Sequence, residues 1–503
     1  MDIKKNDIFV TTIEDISDEG SGIGKTDGYT WFIKDAVIGD VVEAAAMKMK
    51  RSYGYARLIK VVKPSEARVK PPCPVARQCG GCQLQAMSYE EQLRFKENKV
   101  FNNLVRIGNI DNLRRVNKEE TLNGAGVSDR IKFGGDGAEG RQRKELLDKD
   151  REFAEFLPIA GMENPWRYRN KAQFPFGMDK NGTIVTGFFA GRTHTIISHE
   201  DCLLGVEENQ EILKIIKGFM NQYCIKAYEE QQHQGLIRHV LIRKGFHTGE
   251  IMVCLIINGR SLPQSEELVR RLKAVKGMTS VSYSINMEKT NVIMGKEIVP
   301  VYGPGYISDY IGNVKYRISP LSFYQVNPVQ TEKLYGMALE FAGLTGDEVV
   351  WDLYCGIGTI SLFLAQKAKK VYGVEIVPQA IDDACENAKL NGLGNTEFFV
   401  GKAEEVLPEQ YKKKGIRADV IVVDPPRKGC DPACLATMLS MAPKRIVYVS
   451  CDSATLARDL KILCEGGYEL QKIQPVDMFP QTAGVETVCL LSKLHLQVGK
   501  NDY

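Results

Sequence analysis

The sequence predicts a multidomain chain: a small N-terminal β-barrel, a central α+β domain and a C-terminal doubly wound α/β domain. Three observations predict it. The 503 residues make about three domains at roughly 150 residues each. Short β-prone runs separated by glycine turns fill the first part of the chain. From about Pro320 onward, near-continuous apolar runs alternate with helical segments, as buried parallel strands and their crossovers do.

Composition bounds the class. Charged residues make up 26% and hydrophobic ones 44%, an ordinary globular balance that excludes a wholly disordered chain, a collagen or a coiled-coil rod. Net charge is only +3, so any nucleic-acid affinity must come from a local patch. Thirteen cysteines are an odd and sparse number for a disulfide scaffold. The start, Met1-Asp2-Ile3-Lys4-Lys5-Asn6, lacks a signal-type apolar stretch, and the longest apolar run, Ile251 to Ile257, is too short to span a bilayer. The expectation is a cytoplasmic protein with reduced thiols and no membrane partner.

Residues 1–63 form the predicted barrel. Ile8–Ile13, Val37–Val42 and Ala56–Val62 are β-prone, and Gly20–Gly24 and Asp27-Gly28 carry turn chemistry. Lys48, Lys50, Arg51, Arg57, Lys60 and Lys63 interleave with Tyr53 and Tyr55, a pattern that suits a nucleic-acid backbone and its bases. A solvated barrel face is an equally good account of that pattern. Residues 64–108 form a linker holding a cysteine cluster and a helix of about Ser88 to Val105. Residues 109–155, rich in glycine and in charges of both signs, read as a flexible insertion.

Residues 156–319 alternate apolar and polar in short runs such as His239–Lys244, with one helix of about Glu207 to Tyr223, which suggests a largely antiparallel sheet. Residues 320–503 supply the α/β pattern. Glu348–Leu353, Lys370–Glu375, Asp419–Asp424 and Arg445–Ser450 read as its strands. In such sheets ligands sit at the carboxyl ends of the strands.

Three strand ends there carry chemistry. Asp352-Leu353-Tyr354-Cys355-Gly356-Ile357-Gly358 follows the first strand, and the second ends in Glu375, where an acid can accept hydrogen bonds from ribose hydroxyls. The third glycine of a dinucleotide fingerprint is absent near Ser361, and the strand, Asp352 and the downstream Glu375 point to an adenosyl-type ligand over a purely structural turn. Asp424-Pro425-Pro426-Arg427 puts an acid and a base beside rigid prolines. Ser450-Cys451-Asp452 puts a thiol between a strand and a helix start, where a lowered thiol pKa is expected. Most cysteines are nonetheless small buried hydrophobes, and strand-end placement alone does not reverse that prior.

Gln325-Val326-Asn327, the Asp352–Gly358 loop, Asp424-Pro425-Pro426-Arg427, Ser450-Cys451-Asp452 and Glu486 together resemble the uracil-C5 RNA methyltransferases. The order and spacing match throughout the C-terminal half. The resemblance implies a Rossmann-like methyltransferase domain, an OB-like TRAM domain for the N-terminal barrel, and S-adenosylmethionine as methyl donor. It implies Cys451 as nucleophile and Glu486 as general base. Gln325, Tyr354, Glu375 and Asp424 match donor-binding positions, with Asp424 and Gln325 also near the target base. Phe323 is as compatible with stacking on a base as with a core role. A further donor contact falls somewhere in Lys402-Ala403-Glu404.

Cys73, Cys79 and Cys82 stand in ten residues, with Gly80-Gly81 letting the chain curl. Thiolates so grouped suit zinc or a [4Fe–4S] cluster, and spacing does not separate the two. The resemblance implies Cys202 as fourth ligand and the [4Fe–4S] cluster as the group held. It also implies RNA as partner, 23S rRNA ahead of tRNA, because the best-known bacterial tRNA enzymes of this family lack both the barrel and the cluster. Three rivals fare worse. Radical methylthiotransferases share the barrel but need Cys-x3-Cys-x2-Cys, and the first gap here holds five residues. Cytosine-C5 methyltransferases place their cysteine after Pro or Thr, not Ser450. A non-catalytic or redox iron–sulfur RNA-binding module has no use for both Cys451 and Glu486.

Overall fold

The computed structural model describes residues 3–116 and 153–494. They fall into two compact units. One comprises the chain up to Phe95 with Met162–Glu332 and Phe479–Ala483; the other comprises Lys96–Gly161, Lys333–Met478 and the chain from Gly484 on.

The first unit opens with a barrel of β1 (Ile8–Ile16), β2 (Gly22–Thr26), β3 (Tyr29–Ile33), β4 (Val41–Met49) and β5 (Tyr53–Lys63), closed in the order β1-β2-β3-β5-β4. Alternation drives it: Phe9, Thr11 and Ile13 point in while Ile8, Val10 and Thr12 face out. Trp31 fills the interior among Phe9, Ile33, Val42 and Leu58. It fits only because residue 54 is glycine; a Cβ there would lie 2.4 Å from the indole. Asp27 and Gly28, both at positive φ, close the tight β2–β3 hairpin. All six basic side chains from Lys48 to Lys63 are exposed. Tyr53 and Tyr55 are half-buried and cluster with Phe32 at centroid distances of 5.6 to 5.8 Å.

Helix α1 (Tyr89–Arg106) starts one residue later than the sequence suggests, with Ser88 Oγ accepting from the Glu91 amide. Strands β6 (Leu113–Arg115) and β7 (Ala154–Phe156) lie inside the span read as an insertion and pair in parallel with each other. β7 also pairs in parallel with a strand of the large sheet of the second unit. Phe156, wholly buried, explains why this edge is ordered. Residues 117–152, the rest of that stretch, lie outside the described residues.

The rest of the first unit is a seven-stranded sheet in the order β10-β9-β8-β11-β12-β13-β14. Its strands are β8 (Lys171–Met178), β9 (Ile184–Phe189), β10 (Ile196–Ser198), β11 (Ile237–Lys244), β12 (Ile251–Ile257), β13 (Met278–Ile285) and β14 (Glu297–Tyr302). All pairs are antiparallel except β12–β13. A parallel pair needs a crossover. That crossover is a second helix, which the sequence analysis missed. Helix α2 (Glu208–Gln222) matches the one expected; α3 (Ser265–Leu272) is too short for a clear period, but it buries Leu268 and Leu272 one turn apart. Both helices cover one face of the sheet, with Ile212, Ile216, Phe219 and Leu268 packed on Val240, Val253 and Val281. A hairpin of β15 (Ile307–Ile311) and β16 (Val314–Ile318) follows.

The second unit is built on a nine-stranded sheet. After α4 (Pro328–Ala342) come β17 (Val349–Leu353), α5 (Thr359–Ala365), β18 (Lys370–Glu375), α6 (Pro378–Leu390), β19 (Thr396–Val400), α7 (Ala403–Lys414), β20 (Val420–Val423), α8 (Pro432–Met441), β21 (Arg445–Ser450), α9 (Ser453–Glu465), β22 (Tyr468–Val476) and β23 (Glu486–Lys493). The order is β19-β18-β17-β20-β21-β23-β22-β7-β6. Strands β17 to β21 run in parallel, and the chain reverses its direction of travel between β17 and β20, which opens a crevice at their carboxyl ends. β23 runs antiparallel beside β21, so its first residues return to that same edge. Among the described residues no helix is long and apolar enough to cross a membrane.

Candidate active site

The loop after β17 makes the donor side of the crevice. Tyr354, Gly356 and Gly358 all have positive φ, from +55° to +80°. The two glycines serve different ends. A Cβ at Gly356 would meet nothing within 4 Å, so that backbone borders open space; a Cβ at Gly358 would press on Ala384 at 3.2 Å. Gly358 therefore lets α5 and α6 approach. Asp352 is wholly buried and accepts a hydrogen bond from Ser361, which is also wholly buried. That bond is why a serine stands where a dinucleotide site would have its third glycine. Burial also raises the Asp352 carboxyl to about 7.

Glu375 ends β18 at the mouth of the loop. Its two oxygens accept from the amides of Gly356 at 3.2 Å and Val377 at 3.0 Å, which fixes the carboxylate while leaving lone pairs for hydroxyls. Ile376 and Val377 beside it are about half exposed, an apolar rim next to an acid. Tyr354 is half-buried; burial and the neighbouring Cys434 and Cys430 thiols push its phenol up, and Cys434 shares a hydrogen bond with it. Cys434 thus orients a candidate donor contact. Of the uncommitted stretch, Lys402 precedes α7 and Ala403 is buried within it.

The opposite side of the crevice carries the reactive groups. Ser450 pairs with Thr487 at the end of the β21–β23 ladder, so Cys451 and Glu486 both adjoin that pair, and Glu486 lies near enough to raise the Cys451 thiol. Asp424, directly after β20, completes the group. Cys451 and Asp424 are partly buried, and Glu486 is only 3% exposed. Burial first, then the nearby Asp424, pushes the Glu486 carboxyl well above the usual carboxylate range, against the pull of Arg427; burial does the same to Asp424.

Cys451 does not have the lowered pKa expected of a thiol at a helix start. Burial, then Glu486 and Asp424, push it up to about 11, and Arg427 only partly opposes them. The physical reason lies in the cap. Asp452 is the N-cap of α9 and accepts from the amides of Ala454 at 3.0 Å and Thr455 at 3.1 Å, so two of the helix's first free N–H groups serve Asp452 rather than the thiol.

Helix α9 also holds the Asp424–Gly429 segment. Thr455 Oγ1 donates to the Arg427 carbonyl at 3.0 Å and Arg458 to the Lys428 carbonyl at 2.9 Å. Asp459, wholly buried, accepts from the Cys430 amide, the Tyr448 hydroxyl and Arg458. Sequence reasoning missed Asp459; its signal, a carboxylate on the inner face of a helix six residues after Ser453, has no meaning until its partners are known.

Gln325 belongs to the first unit, unlike the other three candidate donor contacts. It is 7% exposed, and its carbonyl accepts from Asn170 Nδ2 at 2.9 Å. Phe323, two residues earlier, is 68% exposed, which removes the core alternative for it.

The four cluster cysteines all lie in the first unit and are free thiols. Each of Cys73, Cys79 and Cys82 has its thiol pushed up by burial first and further by Cys202, Cys82 also by Cys79 and Cys73, so the four converge on one locality. Backbone amides of Val75 and Gly81 and the Gln85 side chain point at three of the sulfurs, the Gly81 amide lying 3.3 Å from Cys79. N–H donors aimed at sulfur favour thiolate, the form that binds metal. The side chains do not yet stand in a closed ligand set: among the described residues no three His, Cys, Asp or Glu groups have metal-holding geometry. Gly80 is what lets this loop reach β9, since a Cβ there would meet Gly191 at 3.0 Å.

Known proteins match along the whole chain. The sequence model of the tRNA (uracil-5-)-methyltransferase family matches residues 214–494, and that of the TRAM domain matches residues 9–59. An uncharacterized RNA methyltransferase of Halalkalibacterium halodurans is 48% identical over 490 residues, 97% of this chain and 98% of that protein. One of Clostridium tetani is 46% identical over 491 residues, 97% of each. In fold, the chain is similar to the Pyrococcus abyssi tRNA (uracil-54, C5)-methyltransferase solved with S-adenosyl-L-homocysteine, with a TM-score of 0.70, 24% identity, and coverage of 96% of this chain and all of that one.

Proposed function

The chain belongs to the tRNA (uracil-5-)-methyltransferase family, and on that premise we propose that it methylates carbon 5 of a specific uridine through a covalent adduct on Cys451. It is an S-adenosylmethionine-dependent RNA methyltransferase; the donor supplies an electrophilic sulfonium methyl. The observation that carries the covalent route is the proximity of Cys451 and Glu486, which adjoin the Ser450–Thr487 pair at the end of the β21–β23 ladder.

Carbon 5 of uracil is too weak a nucleophile to take a methyl group unaided. The Cys451 sulfur forms a bond to carbon 6, and the displaced π electrons make carbon 5 an enolate carbon that attacks the methyl. Glu486 then removes the carbon-5 proton, the pair returns to form the 5,6 double bond, and the C6–S bond breaks. A carboxylate of raised pKa is a stronger base than an exposed one, which suits this second task. The thiol rests protonated, so it is unreactive until substrate enters and Arg427 and a neighbouring carboxylate assist loss of its proton. Glu375 would hold the donor ribose, and Tyr354 and Asp424 would line the donor.

Cys73, Cys79, Cys82 and Cys202 would hold a [4Fe–4S] cluster as a structural tie between the linker and the sheet, since methyl transfer needs no electrons. The reaction would occur in the cytoplasm, on a base splayed from its stack, because a partly buried thiol must reach carbon 6 from the ring face. We favour 23S rRNA as substrate because the chain carries both the barrel and the four-cysteine set. The family description, which names tRNA, favours the second reading. Mapping 5-methyluridine in 23S rRNA and tRNA from a deletion strain tests this. Loss at one 23S position supports the first, loss in tRNA the second, and no loss in either refutes the function.

A further inference from the structure

Strands β8 and β11 pair so that Lys171 stands directly opposite Arg243, with both side chains on one face of the sheet. Like charges so placed repel and destabilise a sheet. Such a pair is ordinarily relieved by a carboxylate, and here none is present. Among the described residues, neither Lys171 nor Arg243 has an acidic partner. The contrast with the next residue is direct: Lys244, on the other face, is paired with Glu208. Arg243 is only 2% exposed; one guanidinium nitrogen donates to the Ser322 carbonyl, and its Nε has no partner. Burial, then Arg243 and Arg169, push the Lys171 ammonium down to about 8.

These cations border one backbone segment. Arg243 holds Ser322, and Asn170, between Arg169 and Lys171, binds the carbonyls of Gln325 and Val326 through its side chain and amide, each at 2.9 Å. The segment presents Phe323, 68% exposed. A buried arginine and a half-buried lysine without acidic partners among the described residues, beside a bare aromatic ring, match the two halves of a nucleotide: phosphate oxygens for the first, a base face for the second.

We propose that Lys171, Arg243 and Arg169 form a phosphate site that seats the RNA backbone against the Ser322–Val326 segment. The inference rests on the RNA-methyltransferase reading above. The incoming phosphodiester supplies the missing negative charge, so the strain between opposed cations in the free protein is relieved on binding. A structural lysine would behave differently, because replacing it would weaken the fold rather than relieve it.

The test uses the full-length protein and total RNA from the deletion strain. Lys171→Met should fold with a raised thermal midpoint, bind this RNA about tenfold more weakly at physiological salt, and lose about 0.7 from the slope of log affinity against log salt. Arg169→Gln should weaken RNA binding in the same way. Unchanged RNA affinity and slope in both folded variants overturns the proposal, while wild-type methyl transfer would still uphold the function. If inorganic phosphate raises the midpoint of the wild type but not of Lys171→Met, and RNA affinity is equal in the two, the site takes a small free anion and the RNA assignment is wrong. If the wild type neither binds nor methylates this RNA, the function and the proposal fall together.

Discussion

Cys451 and Glu486 adjoin the Ser450–Thr487 pair because β23 runs antiparallel to β21, at the edge of the parallel array from β17 to β21. The thiol and the carboxyl therefore approach the crevice from adjacent strands, where burial and neighbouring carboxylates raise the proton affinity of both. Cys451 feels Glu486 and Asp424, and Glu486 feels Asp424. Most of what can be tested about the chemistry follows from this one pairing.

Cys451→Ala should retain binding of S-adenosylmethionine and RNA and transfer no methyl group. Equilibrium binding and tritiated-methyl incorporation measure the two separately. Retained turnover would remove Cys451 from the mechanism.

Glu486→Gln should trap the methylated base on the thiol, because nothing removes the carbon-5 proton. A protein–RNA band that survives denaturing electrophoresis is the expected outcome. Normal release of methylated product from this variant would falsify the assignment.

The same substitution should change stability with pH. Burial lifts the Glu486 carboxyl above its unfolded value, so the folded state holds that proton more tightly. Its favourable contribution is present in acid and is lost as pH rises through the raised pKa. Glu486→Gln should therefore raise the thermal midpoint relative to wild type at alkaline pH and do so less at acid pH. Scanning calorimetry at both ends checks the sign.

Alkylation of Cys451 should require a pH near its raised value of about 11 in the wild type. The onset should move down in Glu486→Gln, which removes a nearby negative charge, and up in Arg427→Ala, which removes the opposing positive one. Rates of iodoacetamide labelling at Cys451, read by peptide mass spectrometry, decide it. Identical profiles in all three proteins would mean that burial alone sets the thiol.

Anaerobic purification should give brown protein with about four iron and four sulfide per chain. Cys82→Ser and Cys202→Ser should each lower the iron content and broaden thermal unfolding. Stoichiometric zinc without iron would sink the cluster assignment.

Lys96 and Asp477 form a wholly buried ion pair that ties α1 to the end of β22. Lys96→Met leaves Asp477 buried without its counter-ion and should cost about 3–5 kcal/mol of stability in urea titration.

Much of the site was legible in order and spacing. The strand ends at Glu375, Asp424 and Ser450 lie where apolar runs stop, because a buried parallel strand is apolar along most of its length and turns polar where it leaves the sheet. Short elements were not legible. Helix α3 spans two turns, and β6 and β7 span three residues each, so none shows a periodicity. Their order comes from contacts distant in sequence, such as the pairing of buried Phe156 with Ile473 of β22.

By itself the sequence determined the glycine loop, the strand ends that carry polar side chains and the three thiols of Cys73, Cys79 and Cys82 in ten residues, and its family resemblance singled out Cys451, Glu486 and Cys202. Only the tertiary structure decided how those groups are tuned. The reversal of β23 brings Glu486 beside Cys451, Asp452 takes the helix amides that would have favoured a thiolate, and burial overrides the helix dipole. A pKa sums desolvation and charges from every direction, and Lys171 opposite Arg243 shows the same: neighbours across a sheet are set by register, and adjacency in sequence carries no record of it.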